Sequence, residues 1–182
     1  MPVENEKKVL LNLNTSEATI YKIAAEIFHI EQAYMLRDKE LTVRIRKQID
    51  RMDNVKHYLT VKTKVDDKLI EIEKKISQQD FVHLSKKAAG WVEKSRYVVG
   101  LPRENPECWW DIDFFKSGLD TYFVMAEIEL PDGVAEPAYL PEFVQDNLLY
   151  SVPRTDNRFS SKKLSSVEYA TKLLDEIMKG AV

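Results

Sequence analysis

Seven stretches of this chain place two like charges two residues apart, with mostly apolar residues between and around them. Because successive side chains of a β-strand point to opposite faces, each pair would share one face of a strand. The apolar neighbours would then occupy the other face. The pattern therefore predicts strands with one ionic and one apolar face. The pairs are Glu4/Glu6, Arg44/Arg46, Lys62/Lys64, Glu71/Glu73, Lys94/Arg96, Asp111/Asp113 and Glu127/Glu129.

Alternation and enrichment in Val, Ile, Thr and aromatic residues predict eight strands in all. Their approximate ranges are 3–12, 27–36, 40–48, 56–65, 68–76, 91–99, 108–115 and 121–130. Helical spacing of apolar residues predicts short helices at about 15–26, 78–88, 140–148 and 165–179. Many strands and few helices favour an α+β, mainly antiparallel fold whose sheet closes into an eight-stranded β-barrel. The loop-rich stretches are too short to be linkers, so residues 1–182 are expected to form a single domain.

The composition argues against several classes of function. The formal net charge of −3 over 182 residues argues against a general nucleic-acid binder, which would normally be basic. A single cysteine, Cys108, permits no intrachain disulfide and suits a cytoplasmic location. We find neither a signal peptide nor an apolar run that could cross a membrane. The three scattered histidines disfavour a structural zinc site, so any metal would be held by carboxylates.

The repeated like-charge pairs predict a charged barrel interior. Like charges on neighbouring same-face positions repel, so the arrangement requires opposite charges or a ligand nearby. A wide barrel can hold a polar lumen, with amphipathic helices covering its apolar outside. The alternative is that these charges merely pair with one another on a solvated sheet. The basic lining would be Lys8, Arg44, Arg46, Lys62, Lys64, Lys94 and Arg96, and the acidic lining Glu4, Glu6, Glu71, Glu73, Asp111, Asp113, Glu127 and Glu129.

Such a lining has a clear chemical preference. Dense basic groups bind a polyanion such as a chain of phosphates, and arginine can donate to two oxygens at once. Carboxylates bind hard divalent cations, Mg²⁺ or Mn²⁺, which also bridge to phosphates. The sequence therefore indicates a metal-assisted phosphate site.

The same residues carry a resemblance to the CYTH superfamily, the triphosphate tunnel metalloenzymes. Glu4, Glu6 and Lys8 match the family's E-x-E-x-K signature position for position. Later blocks are similar in order and spacing, and the resemblance runs from residue 4 to about 164. These blocks are "IEQAYML", "LTVRIRK", "YLTVKTK", "EIEKKI", "KSRYVV", "WWDIDFF", "AEIELP" and "VPRTDNRF".

The resemblance implies a β-barrel tunnel that hydrolyses a triphosphate with Mg²⁺ or Mn²⁺. It implies metal binding by Glu4, Glu6, Glu127 and Glu129. It implies phosphate binding by Lys8, Arg44, Arg46, Lys62, Lys94, Arg96 and Arg158. Lys8 would act in catalysis, with Glu4 or Glu129 helping to position the attacking water. Supporting acidic roles fall to Glu71, Glu73 and Asp113, and whether Glu71 and Glu73 bind metal or orient the basic residues stays open.

Several alternatives remain at this stage. The substrate would be a small molecule: inorganic tripolyphosphate, a nucleoside triphosphate or thiamine triphosphate. A class IV adenylyl cyclase, which makes cyclic AMP from ATP, would need the same tunnel and a purine pocket. A non-catalytic binder of triphosphates or nucleotides would keep the tunnel without turnover. The helix at 165–179 is expected to cap the barrel, with a homodimer contact as the alternative.

Overall fold

The structure is a computed structural model that describes residues 5–37, 41–65, 68–100, 109–137 and 139–180. Within these ranges the chain forms nine strands and five α-helices, with a 3-10 helix at Asn157–Phe159. The strands are β1 (Glu6–Leu11), β2 (Glu26–Arg37), β3 (Leu41–Asp50), β4 (Val55–Val65), β5 (Lys68–Ile76), β6 (Gly90–Gly100), β7 (Trp109–Ser117), β8 (Asp120–Glu129) and β9 (Leu148–Val152). The helices are α1 (Glu17–Ile23), α2 (Gln78–Ser85), α3 (Glu142–Asn147), α4 (Ser161–Leu164) and α5 (Val167–Met178).

All eight predicted strands and all four predicted helices are present near their predicted bounds. The sequence prediction missed β9, which begins at Leu148 directly after α3. This short strand has no charged alternation to reveal it, and it forms because its backbone pairs with β1. Cys108 and Glu4 lie outside the described residues.

The nine strands form one antiparallel sheet in the order β5-β4-β3-β2-β6-β7-β8-β1-β9. The sheet therefore has nine strands rather than the predicted eight, because β9 pairs with the edge of β1 that β8 leaves open. Across the part of the chain that the structure describes, no pairing joins β5 to β9. The predicted closure into a barrel is thus not shown by the hydrogen-bonded order.

One face of the sheet, here called the apolar face, is covered by three helices. Ile20 of α1 and Val144 of α3 pack against a buried cluster that includes Val9, Ile112 and Ala126. On the other half of the sheet, Phe81 of α2 packs against Ala33 and Ile45. The prediction that helices cover an apolar face opposite the charges is confirmed.

The opposite face, here called the ionic face, carries the charged residues and becomes apolar towards one end. Leu10 and Phe115 each follow an ionic residue by two positions, and Met125 precedes Glu127 by two, so all three point to the same side. They pack with Phe123 and with α5 in a second buried cluster. The C-terminal helix therefore closes the apolar end of the ionic face.

Helix α5 is held by a regular apolar stripe. Ser166 caps its first turn by accepting a hydrogen bond from the backbone N–H of Tyr169. Four buried residues then recur at helical spacing and enter the second cluster: Ala170, Leu173, Leu174 and Ile177. Among the helices of the described ranges, none has both the length and the apolar character needed to cross a bilayer.

We expect Leu174→Ala to destabilise the protein by about 2–5 kcal/mol, because it removes buried methyl groups and leaves a cavity under α5. Leu119→Ala is the matched control, since Leu119 lies in the β7–β8 turn and is 98% exposed. Urea denaturation followed by circular dichroism measures both. Equal midpoints for the two variants would mean that α5 does not contribute to the fold.

Candidate functional site

The ionic face gathers side chains from seven strands. Register sets Lys8 opposite Glu127, Lys62 opposite Glu71, and Arg96 opposite Asp113. Opposite charges on neighbouring strands attract across the 4.5–5.5 Å that typically separates facing Cβ atoms. The described ionic residues are Glu6, Lys8, Arg44, Arg46, Lys62, Glu71, Glu73, Lys94, Arg96, Asp111, Asp113, Glu127 and Glu129.

The most buried part of the face is a network on β6 and β7. Asp113 is 0% exposed and accepts hydrogen bonds from Lys94 and from Arg96. The Arg96 contact is bidentate, with Nε to Oδ1 and Nη2 to Oδ2 each at 2.7 Å. Arg96 also donates through Nη1 to Asp111. One carboxylate thus holds two cations in position on β6.

Burial and the neighbouring charges shift the pKa values of the residues in this network. Burial, with the positive charge of Arg96, lowers the pKa of Lys94 to about 8, although Asp113 acts in the opposite direction. Burial also raises the pKa of the Asp111 carboxyl. The pKa of Arg96 is raised because Asp113 and Asp111 outweigh the effect of its burial. Lys94 is therefore the cation whose charge depends most on its carboxylate partner.

Lys8 joins two carboxylates beside this network. Its Nζ lies 2.6 Å from Oε1 of Glu6 and 3.3 Å from Oε1 of Glu127. Glu127 also accepts a hydrogen bond from Arg96 Nη2, at 3.3 Å from Oε2. Burial alone would lower the pKa of Lys8, but Glu127 and Glu6 outweigh it and raise that pKa. Lys8 therefore stays protonated at neutral pH.

A second group of ion pairs lies on β3, β4 and β5. Glu71 accepts from Arg44 Nη2 at 3.0 Å and lies 2.7 Å from Lys62 Nζ. Glu73 accepts from Arg46 Nη2 at 2.7 Å. These contacts favour the second of the two roles left open for this acidic pair, which is to orient the basic residues.

Two arginines of this group have unused donors. The Nε atoms of Arg44 and Arg46 are buried and have no hydrogen-bond partner among the described residues. Burial, together with the charge of Arg44, lowers the pKa of Arg46. A buried N–H without an acceptor is costly, and native structures contain few of them. An anion bound between the two arginines would supply the acceptor.

Strand β2 adds two residues that we did not single out from the sequence. Gln32 is opposite Arg46 and Tyr34 is opposite Arg44, so both side chains lie on the ionic face. Gln32 Nε2 donates to the Tyr34 hydroxyl at 2.6 Å. Burial raises the pKa of Tyr34 to about 12. Their two-residue spacing matches that of the charged pairs, and this spacing was the signal that could have identified them.

Electrostatic interactions on the ionic face also link strands that are not neighbours. Besides burial, the charge of Arg96 on β6 contributes to the lowered pKa of Arg46 on β3, although β2 lies between these strands. Besides burial, the charge of Glu127 on β8 contributes to the raised pKa of Tyr34 on β2, although β6 and β7 lie between them. The charges of the ionic face therefore act on one another beyond neighbouring strands.

Two predicted residues, Arg158 and Glu129, stand apart from these networks among the described residues, and a third lies outside the described ranges. Arg158 lies on the 3-10 helix, where its Nε and Nη2 donate to Asp156 at 2.7–3.0 Å. Glu129 is exposed at the end of β8, opposite Glu6 in register. Glu4 lies outside the described residues, so its predicted roles in metal binding and catalysis stay predictions.

Glu6, Glu127 and Glu129 lie near one another on the ionic face. Their carboxylate oxygens are the type of ligand that a hard divalent cation prefers. Glu6 and Glu129 face each other across β1 and β8, and Glu127 is the next inward residue on β8. As the side chains stand, no group of three or more His, Cys, Asp or Glu residues in the described ranges is close enough to hold a metal ion. Lys8 instead occupies the position between Glu6 and Glu127.

Comparison with known proteins identifies no family. No family model matches the chain, and no curated protein matches it. Among solved structures, the hypothetical protein NE1496 is similar, with 21% sequence identity and a TM-score of 0.49. The similarity covers 89% of this chain and 96% of that one.

We expect Asp113→Asn to destabilise the protein by about 3–5 kcal/mol, because it leaves the buried Lys94 ammonium without its carboxylate. The double variant Lys94→Met/Asp113→Asn should recover part of this loss, since it removes the unpaired charge as well. Urea denaturation of the two variants tests this. A double variant less stable than Asp113→Asn would contradict the idea that the loss comes from an uncompensated ammonium.

Proposed function

We propose that this protein hydrolyses the terminal phosphoanhydride of a small triphosphate, held on the ionic face with Mg²⁺ or Mn²⁺. In this proposal the chain is a member of the CYTH superfamily, and its curved sheet encloses the phosphates as a tunnel. The candidate substrates are inorganic tripolyphosphate, nucleoside triphosphates and thiamine triphosphate. The proposal goes beyond the fold, and it depends on the arrangement of the ionic side chains.

The observation that carries the proposal is the pair of buried, unsatisfied N–H groups on Arg44 and Arg46. A structural ion-pair network would be expected to satisfy its own donors, because leaving them unpaired costs free energy. A chain of phosphates offers several acceptor oxygens at the spacing of neighbouring arginines. Phosphate binding thus explains why two guanidinium groups lie side by side with unused donors.

Different basic residues would bind different parts of the phosphate chain. Arg44, Arg46 and Lys62 extend from β3 and β4 and would hold one part of the phosphate chain. Lys8 extends from β1 and Arg96 from β6, and these two would hold another part of the chain. Lys94 is buried against Asp113 and would contribute positive charge from that buried position. Fixed cations around the transferred phosphoryl group stabilise the charge that develops on its oxygens and on the leaving group.

The acidic residues would hold the metal ion and orient water. Glu6, Glu127 and Glu129 supply carboxylate oxygens, and the resemblance adds Glu4. The bound ion would polarise the phosphate oxygens and lower the pKa of a bound water. Glu129, exposed at the open end of the face, would accept a hydrogen bond from the attacking water. The resemblance also adds Arg158 to the phosphate ligands; it lies on the 3-10 helix, where it pairs with Asp156.

The proposal can be tested by incubating the protein with several candidate substrates and identifying the products of each. Tripolyphosphate, ATP and thiamine triphosphate are each incubated with Mg²⁺ or Mn²⁺, and the products are separated by ion-exchange chromatography. We expect release of orthophosphate, its loss in EDTA, and its return when metal is added back. Cyclic AMP with pyrophosphate as the main products would instead indicate a cyclase. Tight binding without any turnover would indicate a non-catalytic binder.

We expect Arg46→Lys to lower kcat/KM for the best substrate on the order of 100-fold, because lysine cannot supply the guanidinium's forked donors. Arg51→Lys is the matched control, since Arg51 is exposed in the β3–β4 turn and stacks on the Tyr21 ring. Steady-state kinetics of both variants provides the comparison. Equal activity of the two variants would remove Arg46 from the phosphate site.

A further inference from the structure

Glu127 connects the residues proposed to bind phosphate with those proposed to bind metal. Its Oε1 lies 3.3 Å from Lys8 Nζ, and its Oε2 accepts a hydrogen bond from Arg96 Nη2 at 3.3 Å. Burial by itself would raise the pKa of this carboxyl, but Lys8, Lys94 and Arg96 outweigh it and hold the pKa well below its usual range. At neutral pH the carboxylate is therefore charged and is shared between two cations.

The contacts of Glu127 with Lys8 and Arg96 would weaken the binding of both proposed ligands, the metal ion and the triphosphate. A divalent cation on Glu127 would repel Lys8 and Arg96, so they would have to move away from the carboxylate. A phosphate on Lys8 and Arg96 would compete with Glu127 for their N–H groups. Each ligand therefore has to break the same pair of contacts before it binds.

We propose that Glu127 is an internal anion that occupies Lys8 and Arg96 until a triphosphate and a metal ion replace these contacts together. The inference rests on the proposed function and concerns how the same site is controlled. Whichever ligand binds first bears the cost of separating Glu127 from its two cations. The second ligand finds the contacts already broken and binds more tightly.

Such coupling is reciprocal, since a metal ion that tightens triphosphate binding must itself be tightened by the triphosphate to the same degree. The site would consequently bind triphosphate weakly when no metal ion is present, and strongly when the metal ion binds with it. This arrangement would keep the basic residues from retaining other anions, such as orthophosphate, when no metal is present. Glu71 and Glu73 make similar contacts on β3 and β4, but they are not among the proposed metal ligands. Glu6 is a proposed metal ligand and also pairs with Lys8, whereas Glu127 pairs with both Lys8 and Arg96.

The test measures binding of inorganic tripolyphosphate in EDTA by isothermal titration calorimetry, so that no metal takes part. We expect Glu127→Gln to bind tripolyphosphate on the order of tenfold more tightly than the wild type, because Lys8 and Arg96 each lose one carboxylate that competes with the phosphates. Lys8 keeps its contact with Glu6, and Arg96 keeps those with Asp113 and Asp111. Glu129→Gln is the matched control: it removes the same charge from the same face two residues away. Among the described residues Glu129 forms no salt bridge, so its change should be threefold or less, about the effect of one screened charge.

Two further variants separate the specific contacts from general electrostatics. Glu127→Asp keeps the charge but shortens the side chain by one methylene, so its affinity should lie between those of the wild type and Glu127→Gln. In a Lys8→Ala background, Glu127→Gln should tighten binding less than it does in the wild type, because one of the two released cations is missing. Circular dichroism verifies that each variant is folded.

The outcomes distinguish this inference from the proposed function. Equal gains for Glu127→Gln and Glu129→Gln, or weaker binding by Glu127→Gln, would overturn the coupling even if the wild type hydrolyses tripolyphosphate with Mg²⁺. A wild type that neither binds nor hydrolyses any of the triphosphates would overturn the proposed function, and this inference with it. A selective gain for Glu127→Gln, reduced in the Lys8→Ala background, supports the coupling.

Discussion

Ion pairing between neighbouring strands is the interaction on which this structure depends. The ionic face of the sheet brings together cations and carboxylates that would each be costly to bury alone. The register of the strands sets opposite charges side by side, as in Arg96 with Asp113 and Lys62 with Glu71, so that they neutralise one another. The opposite, apolar face packs against α1, α2 and α3. Helix α5 covers the apolar end of the ionic face.

This arrangement is better suited to binding than to stability. Apolar side chains of similar volume often stabilise a fold as well as a buried ion pair does, and the second apolar cluster shows that the same face can be packed in that way under α5. The chain nevertheless keeps charges along most of the ionic face and leaves donors on Arg44 and Arg46 unsatisfied. In the proposed function, a ligand that replaces internal contacts would give both features a common reason. The carboxylates would then pair with cations in the free protein and with a metal ion in the proposed complex.

Much of the fold was predictable because alternation is a local property. The strands carrying Arg44/Arg46, Asp111/Asp113 and Glu127/Glu129 were identified from two-residue spacing alone, and so was the division into an ionic and an apolar face. Strand β9 was missed because its formation depends on a partner distant in sequence, β1. Gln32 and Tyr34 were overlooked because neutral residues do not stand out, although their spacing is the same. Arg158 was grouped with the phosphate ligands by resemblance alone; it pairs with Asp156 on the 3-10 helix, and its predicted role stays a prediction.

The sequence by itself determined which residues share a face, because side-chain direction along a strand follows from the backbone and needs no partner. It also determined the near balance of charge along that face, on which the predicted preference for phosphates and divalent cations is based. Only the tertiary structure decided which carboxylate meets which cation, that Asp113 is fully buried, and that Glu127 lies between Lys8 and Arg96. Those outcomes depend on strand order and register, which arise from contacts between strands far apart in the chain.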